Sequence, residues 1–284
     1  MSISAFLPVF NEEKRIRNTL NSLMWCDEIV LIDKKSTDKT VEIASSFGSK
    51  VKIHFMDNST SYETSEWEFF LNNCSCEWVV LFTASDVIHP KLANTIVSKI
   101  ENNDFQYDII NIPFRRYALG LETKRSPWYS ELSPKVIRKS VMRIKKNGVH
   151  DALQFTGREL NLKNNIEYSM YHLTHETVDI MMKNHIRYWR GEAKDESISL
   201  GKSALRVIKE FFRIIFWRKS FLLGWDGIML SFAYLTYFMM SFVYKWEKKR
   251  GHATEEYQTI RKLVLDEWKI NNENQQSKRK NDRN

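Results

Sequence analysis

Acidic and hydroxyl side chains cluster at three places in the N-terminal third of the chain, each directly after an apolar run. Glu12 follows the first run, and the segments 33–38 and 83–86 follow two later ones. A carboxylate at such a point accepts hydrogen bonds from a base N–H or a ribose hydroxyl, and the backbone N–H groups of a following helix attract an anion. These residue types and positions suit a site for a nucleotide.

Strand-like and helix-like patterns alternate through the same part of the chain. The patterns predict strands at 3–9, 28–33, 50–55 and 78–82, and helices at 12–25, 36–47, 66–73 and 90–101. This alternation predicts an α/β fold with a doubly wound, mainly parallel sheet of the Rossmann type. Because ligands bind beyond the carboxyl ends of parallel strands, we expect the three polar clusters to meet in one crevice.

The composition indicates a folded, basic protein of a reducing compartment. The 284 residues are 43% hydrophobic and 27% charged, with a net charge of +8. The three cysteines have neither disulfide-framework nor zinc-site spacing. The first residues lack a secretory signal pattern, so we expect a cytosolic domain. The excess Lys and Arg residues flank apolar helices, which argues against nucleic acid as a partner and for an anionic membrane surface.

The segments 6–13 and 28–40 resemble the first two strand-and-turn elements of the family 2 glycosyltransferases. The resemblance implies a GT-A fold and inverting transfer of a sugar from a nucleotide-diphosphate sugar to a glycan or glycolipid acceptor. It implies that Asp33 reads the nucleobase edge and that Glu12 and Asp38 hold the nucleoside. The same two turns contribute further donor-binding residues, namely Pro8, Phe10 and Lys35.

The segment 78–86 occupies the place of the family's Asp-x-Asp motif, which binds a divalent cation such as Mg²⁺ or Mn²⁺. Thr83 and Ser85 stand where the two acids are expected and are therefore assigned to the donor site, and Asp86 follows one place later. Three hypotheses remain open from the sequence. Asp86 holds the metal alone or through water, nearby cations such as Lys34 replace the metal, or the protein has lost activity.

Later motifs resemble most the lipopolysaccharide-core β-glucosyltransferase subgroup, namely Trp128-Tyr129, Val149-His150-Asp151, Tyr171-His172 and Arg187-Tyr188. The resemblance covers about residues 3–245. Inverting transfer needs a base that takes the proton of the attacking hydroxyl. Glu131 matches the family's acid after Trp-Tyr and is the first choice, with Asp151 as the second. Lys135 and Arg138 match basic family positions and are either clamps for the diphosphate or ordinary cations, and an ion pair between Glu131 and Lys135 is the alternative for Glu131.

The segment 203–250 differs in character from the rest. Leu205–Trp217 reads as a basic amphipathic helix, and Gly227–Tyr244 carries no charge and is near the lower length limit for a bilayer span. Tyr and Ser recur in the second segment every three or four positions. Three alternatives follow: an interfacial or re-entrant membrane helix, a true span, or a soluble helical hairpin.

These patterns divide the chain into three parts. We expect a catalytic domain at 1–200, with a nucleotide half at 1–105 and an acceptor half at 106–200. Membrane-associated helices at 203–250 follow, and then a short helix and a disordered basic tail at 251–284. The expected location is the cytoplasmic face of the inner or plasma membrane. The expected function is synthesis of a lipid-linked or cell-surface polysaccharide or lipopolysaccharide, and the alternative is a catalytically impaired nucleotide-binding or partner-binding protein.

Overall fold

The computed structural model describes residues 2–57, 64–102, 104–144, 153–163, 168–193 and 199–281. The strands in these ranges are β1 (Ile3–Val9), β2 (Glu28–Asp33), β3 (Val51–Phe55), β4 (Trp78–Leu81), β5 (Asp86–Ile88), β6 (Ile109–Ala118), β7 (Leu132–Arg138), β8 (Met142–Ile144), β9 (Leu153–Phe155), β10 (Glu159–Asn161) and β11 (Met170–Thr174). The helices are α1 (Ile16–Leu23), α2 (Thr40–Ser45), α3 (Thr64–Asn73), α4 (Pro90–Glu101), α5 (Val178–Glu192), α6 (Leu200–Phe212), α7 (Trp225–Arg250) and α8 (Thr254–Asn281).

One mainly parallel sheet organises the N-terminal domain. Its strand order is β3-β2-β1-β4-β7-β6-β11-β5, with β10 beside β6. The strands β3, β2, β1 and β4 run parallel to one another, and β7 is antiparallel to both of its neighbours, β4 and β6. The carboxyl ends of β1, β2 and β4 therefore lie at the same edge of the sheet as the amino end of β7.

Alternate residues of each central strand face different helices, because successive side chains in a strand point to opposite sides. On β1, Leu7 packs with α1 and α4, whereas Phe6 packs with Trp67 and Phe70 of α3. The sheet is thus covered on both faces, which confirms the predicted doubly wound α/β architecture. The bounds of β1, β2 and α4 coincide with the sequence-based predictions.

Helices α6 and α7 are connected closely, and α7 packs against α5 of this domain. An irregular stretch of two short helical turns, 213–218 and 220–223, connects α6 to α7. Gly227 permits the close approach of α7 to this stretch, since a Cβ at this position would lie 1.8 Å from the carbonyl oxygen of Ser220. The Nε1 of Trp189 in α5 donates to the carbonyl oxygen of Tyr237 in α7 at 2.8 Å.

The Tyr and Ser stripe of α7 faces the protein's own domain. The hydroxyl of Tyr237 donates to Glu192 at 2.5 Å, Ser241 donates to the same carboxylate, and Tyr234 accepts from Arg213 at 2.8 Å. Among the described residues, α7 is one helix that is long and apolar enough to cross a membrane by length and composition. Its polar stripe is nevertheless engaged in contacts with α5 and with the stretch before α7.

The last helix differs from the sequence-based expectation. Instead of a short helix to about residue 268 and a disordered tail, α8 continues to Asn281. No Pro or Gly interrupts residues 254–281, and Glu, Gln and Lys favour helix, so the helix has no local reason to end earlier.

Candidate functional site

A cavity opens at the carboxyl ends of β1, β2 and β4, where the three polar clusters were expected to meet. Residues from β11 and α5 close its other side. It is lined by Pro8, Val9, Phe10, Glu12, Lys34, Thr83, Ala84, Ser85, His172, Thr174, Arg187 and Tyr188. The cavity thus contains five of the residues that the sequence assigned to the donor site, namely Pro8, Phe10, Glu12, Thr83 and Ser85.

Asp33 lies beneath the turn that follows β2, next to the cavity residue Lys34. Its side chain is fully buried, and Oδ2 accepts from the backbone N–H of Ser36 at 2.9 Å. Its other oxygen, Oδ1, is buried without a hydrogen-bond partner among the described residues. A buried carboxylate oxygen without a partner is costly, so this atom has an unused capacity to accept a hydrogen bond.

Hydrogen bonds fasten the turns after β1 and β2 to each other. Asn11 and Lys35 both adopt left-handed backbone conformations, with φ of 54° and 60°. The N–H of Asn11 donates to Ser36 at 2.8 Å, and the carboxylate of Asp38 accepts from the N–H groups of Glu13 and Thr40 at 3.1 and 3.0 Å. Asp38 therefore connects the turn after β1 with the first N–H of α2, and its role at the nucleoside stays a prediction.

A salt bridge crosses the cavity floor. The guanidinium of Arg15 donates to both carboxylate oxygens of Glu12 at 2.8 Å and to the hydroxyl of Ser85 at 3.0 Å. Burial raises the pKa of Glu12, and the neighbouring guanidinium groups of Arg15 and Arg187 oppose that rise. Arg15 therefore connects the first polar cluster with the third, a role that sequence reasoning missed.

Asp86 is an anchor within the domain. Oδ2 accepts from the N–H and the hydroxyl of Thr83 at 2.8 and 3.0 Å, and Oδ1 lies 2.7 Å from Nδ1 of His172. The ammonium of Lys135 lies 3.8 Å from Oδ2. Burial by itself would raise the pKa of Asp86, but Lys135, His172 and the hydrogen bonds outweigh it and lower the pKa to about 2.

These contacts do not fit a divalent cation at Asp86. The side chain is 0% exposed and both of its oxygens already have partners. No group of three or more His, Cys, Asp or Glu residues with metal-ligand spacing occurs within the part of the chain that the structure describes. The neutral hydroxyls of Thr83 and Ser85 are weak ligands for a hard cation. The residues around Asp86 therefore do not fit a metal ion in this arrangement, and the role of Asp86 as a metal ligand stays a prediction.

The cavity carries more cations than anions. Lys34 and Arg187 line it, Glu12 is the single carboxylate among the residues that line it, and Arg15 adds a further positive charge at its floor. The nitrogen Nε of Arg187 is buried, and its guanidinium lies 5.3 Å from the ring of Tyr188. An anionic group such as a diphosphate is the ligand that this charge distribution favours.

Three other basic residues that the sequence offered as candidates for donor binding are not among the residues that line the cavity. Lys35 is exposed and pairs with Asp57 at the surface. Lys135 points to Asp86, and its ammonium lies 5.0 Å from the ring of Phe114. Arg138 is seven residues beyond Glu131 along β7, and it pairs with Glu77 at the amino end of β4. At about 3.3 Å per residue, Arg138 is roughly 23 Å from the catalytic edge of the sheet and cannot clamp a diphosphate there.

Glu131 directly precedes β7, at the edge of the sheet that carries the cavity, but it is not among the residues that line the cavity. Its carbonyl oxygen accepts from the N–H of Phe114 at 3.1 Å, and its side chain is exposed. The ammonium of Lys135 lies 3.8 Å from Oδ2 of Asp86, and the ion pair between Lys135 and Glu131 stays a prediction. The second candidate base, Asp151, lies outside the described residues.

Four further cavity residues were not assigned a role from sequence. His172 and Thr174 end β11, and Arg187 and Tyr188 lie in α5. The dipeptides Tyr171-His172 and Arg187-Tyr188 resemble dipeptides of the family, and this resemblance could have identified three of the four residues as site candidates. The sequence offered a weaker indication for Arg15, which lies three residues after Glu12 in the first turn of a predicted helix.

Comparison with known proteins agrees with this geometry. A mannosyltransferase from Pyrobaculum calidifontis, PcManGT, solved with GDP-Man and Mn²⁺, superposes with a TM-score of 0.50, 10% identity and 86% coverage of both chains. The chain is 25% identical over 249 residues to an uncharacterized glycosyltransferase of Rickettsia bellii (strain RML369-C), covering 81% of each.

A shorter match and a family model complete the comparison. The lipopolysaccharide core biosynthesis glycosyltransferase LpsC of Rhizobium meliloti (strain 1021) is 28% identical over 105 residues, which are 37% of this chain and 39% of LpsC. The model of glycosyl transferase family 2 matches residues 4–161, more than half of the chain and all three polar clusters. The fold, the cavity and these matches together show that the chain is a glycosyltransferase and belongs to glycosyl transferase family 2.

Proposed function

We propose that this enzyme transfers a sugar, with inversion, from a nucleotide-diphosphate sugar to a hydroxyl of a lipid-linked or cell-surface glycan such as lipopolysaccharide. The observation that carries the proposal is the cationic cavity at the carboxyl ends of β1, β2 and β4, with Lys34 and Arg187 in its wall. The partial similarity to LpsC supports a lipopolysaccharide-type acceptor.

The nucleoside end of the donor is assigned to Asp33. Its oxygen Oδ1 has no hydrogen-bond partner among the described residues, and a base N–H would supply one. Pro8 and Phe10 would border the nucleoside from β1. Binding would require the turn at Lys35, which lies above Asp33, to admit the base.

The diphosphate is assigned to cationic side chains. PcManGT was solved with Mn²⁺, but the described residues around Asp86 in this chain do not fit a cation. Lys34, Arg187 and Arg15 supply positive charge in and beneath the cavity. Preorganised positive charge stabilises the negative charge that develops on a departing nucleotide diphosphate.

Glu131 is the proposed general base. Its position at the amino end of β7 faces the edge from which the acceptor hydroxyl would approach. A carboxylate there can take the proton of the hydroxyl as that oxygen attacks the anomeric carbon and the nucleotide diphosphate leaves. A positioned base of this type contributes typically about 10²- to 10⁴-fold to the rate.

A membrane surface is the proposed location, at the cytoplasmic face. Large apolar side chains stand exposed along α6 and the stretch that follows it, including Trp217 at 81% and Phe216 at 60% exposure. Lys202, Arg206 and Lys209 lie on the same helix. An apolar face bordered by cations suits an interface with anionic lipid, and the engaged polar stripe of α7 favours a helix that lies on the membrane over one that crosses it.

The donor proposal is tested by binding calorimetry with UDP, GDP and their common sugar conjugates, followed by assay of nucleotide release. We expect at least one nucleotide to bind, and Asp33→Asn to weaken binding about ten- to a hundredfold, because a hydrogen bond to a charged group contributes about 1.5–3 kcal/mol. Asp104→Asn is the matched control, since Asp104 is exposed and precedes the amino end of β6, at the opposite edge of the sheet.

The catalytic assignment is tested with Glu131→Gln. We expect this variant to bind the nucleotide as the wild type does and to lose at least a hundredfold in turnover. Absence of binding by every nucleotide would contradict the donor proposal. Full turnover of Glu131→Gln would contradict the role of Glu131.

A further inference from the structure

A second cavity adjoins the cationic cavity and shares His172, Thr174 and Tyr188 with it. Its volume is about 390 Å³, within the roughly 300–1,000 Å³ that is typical of ligand sites. We name it the aromatic cavity. The remaining residues that line it are Arg116, Trp128, His175, His185, Tyr234, Tyr237 and Phe238.

The walls of the aromatic cavity combine ring faces with polar edges. Trp128 meets the ring of Tyr234 at right angles, with 5.0 Å between centroids, and lies 6.0 Å from His175. His185 lies 4.9 Å from both His175 and Tyr237. A pyranose ring has an apolar C–H face and a rim of hydroxyls, so it matches a cavity that offers aromatic faces and hydrogen-bonding edges together.

The two histidines at the inner end are neutral. Burial is the main cause that lowers the pKa of His175 and of His185 to about 4 each. A neutral imidazole has one donor and one acceptor nitrogen, which is the pair of functions that a sugar hydroxyl also has. His185 is 3% exposed, and its Nδ1 is buried without a hydrogen-bond partner among the described residues.

Most of this cavity is built outside the part of the chain that the family model matches. His185 and Tyr188 come from α5, and Tyr234 and Tyr237 come from α7, whereas the family match ends at residue 161. Helix α7 is fixed in this position by the hydrogen bonds of Tyr237 and Trp189. Helices α5 and α7 therefore supply half of its ten lining residues.

We propose that the aromatic cavity binds the acceptor as a pyranose ring, with Trp128 against the ring face and His185 at a ring hydroxyl. The cavity meets the donor cavity at His172, Thr174 and Tyr188, so a sugar seated there presents its far hydroxyl toward the donor. This inference rests on the proposed donor site. Beyond the proposed function, it states that the terminal sugar of the acceptor is a pyranose and names the residues that recognise it.

The test uses protein labelled with 5-fluorotryptophan and ¹⁹F NMR. The chain has nine Trp residues, and the signal of Trp128 is assigned by its loss in Trp128→Phe. Methyl pyranosides of glucose, galactose, mannose and N-acetylglucosamine are titrated with UDP or GDP present. We expect at least one glycoside to shift the Trp128 signal saturably while the signals of the exposed Trp217 and Trp225 stay in place.

Two variants of His185 distinguish recognition from folding. His185→Phe keeps a ring of similar size and removes both nitrogens, and we expect it to weaken glycoside binding at least tenfold. His185→Gln keeps a donor and an acceptor, and we expect it to retain most of the affinity. Tyr107→Ala is the control, because Tyr107 is an exposed aromatic residue next to the amino end of β6, on the opposite edge of the sheet.

The outcomes separate this inference from the donor proposal. A Trp128 signal that no glycoside moves, in protein that binds nucleotide, overturns the acceptor cavity alone. Equal glycoside affinity in His185→Phe and wild type also overturns it. A glycoside response that depends on His185 in protein that binds no nucleotide supports the sugar cavity and contradicts the donor site instead.

Discussion

Replacement of Asp86 by Asn separates two roles that the sequence could not distinguish, a metal ligand and an internal anchor. In the structure the carboxylate is fully buried and interacts with Thr83, His172 and Lys135. Asn keeps the shape and can still accept from Thr83, but it removes the negative charge. The structure therefore predicts that the variant loses stability with no metal present.

The magnitude follows from the pKa of Asp86. A pKa lowered from its ordinary value of 3.8 to about 2 means that the folded state favours the charged carboxylate by about 2 kcal/mol. Because the folded pKa is the lower one, this stabilisation is present above pH 3.8 and disappears as the pH falls through about 2. We expect Asp86→Asn to reduce the free energy of unfolding at pH 7 by about 2 kcal/mol. Asp86→Ala should reduce it by about 3–5 kcal/mol, since it removes the charge and also leaves the N–H and hydroxyl of Thr83 without their acceptor, at a cost of about 1–3 kcal/mol.

Urea unfolding followed by Trp fluorescence measures these changes, with Asp57→Asn as the exposed control and with either EDTA or Mn²⁺ in the buffer. A double-mutant cycle with Lys135→Met isolates the Asp86–Lys135 interaction from the rest of the loss. An unchanged unfolding midpoint in Asp86→Asn would refute the anchor. A Mn²⁺-dependent rise in the wild-type midpoint that Asp86→Asn abolishes would restore the metal-ligand hypothesis.

Three further predictions follow from the same contacts. The pKa of His175 and of His185 is about 4 in the folded protein and ordinarily 6.5, so the wild type should lose stability as the pH falls from 6.5 to 4, by up to about 3 kcal/mol per histidine. In urea titrations at several pH values, His185→Phe should remove about half of that loss, and an unchanged dependence of stability on pH would contradict this prediction. Transfer activity should survive EDTA in a nucleotide-release assay, and activity lost to EDTA and restored by Mn²⁺ would show that cations in the cavity do not replace a metal. Trp217→Glu should reduce co-sedimentation with phosphatidylglycerol vesicles at least tenfold, because it removes a large apolar side chain from the interface and adds a negative charge. The control variant Tyr107→Glu should bind the vesicles as the wild type does, and equal loss in both variants would indicate a general charge effect.

The sheet was predictable because its signals are local. The strand β2 is six consecutive buried residues, Glu28–Asp33, and α4 begins with Pro90 in its first turn and repeats apolar residues at helical spacing. Parallel strands place their carboxyl ends at one edge, so the meeting of the three polar clusters followed from strand order alone.

The partners of charged side chains were not predictable, because they depend on distances in the folded chain. Arg15 and Ser85 are 70 residues apart in sequence, and Asp86 and His172 are 86 apart. Sequence neighbours can also diverge: Lys135 and Arg138 lie on one strand, yet Lys135 meets Asp86 and Arg138 meets Glu77 toward the other edge of the sheet. A motif indicates which residue types are present at a site, whereas strand register decides which of them reach it.

Helix α7 explains why its hydropathy gave an ambiguous prediction. The helix has two faces with different neighbours: Tyr234 and Tyr237 line the aromatic cavity, whereas Met229 and Phe232 are exposed at 49% and 62%. If α7 left the domain to cross a bilayer, Glu192 would lose its hydrogen bonds from Tyr237 and Ser241, and a hydrogen bond to a charged group contributes about 1.5–3 kcal/mol. These bonds favour a helix that stays packed on α5, and membrane contact by its outer face would place the aromatic cavity beside the lipid surface. An acceptor carried on a lipid would then reach Trp128 without leaving the membrane.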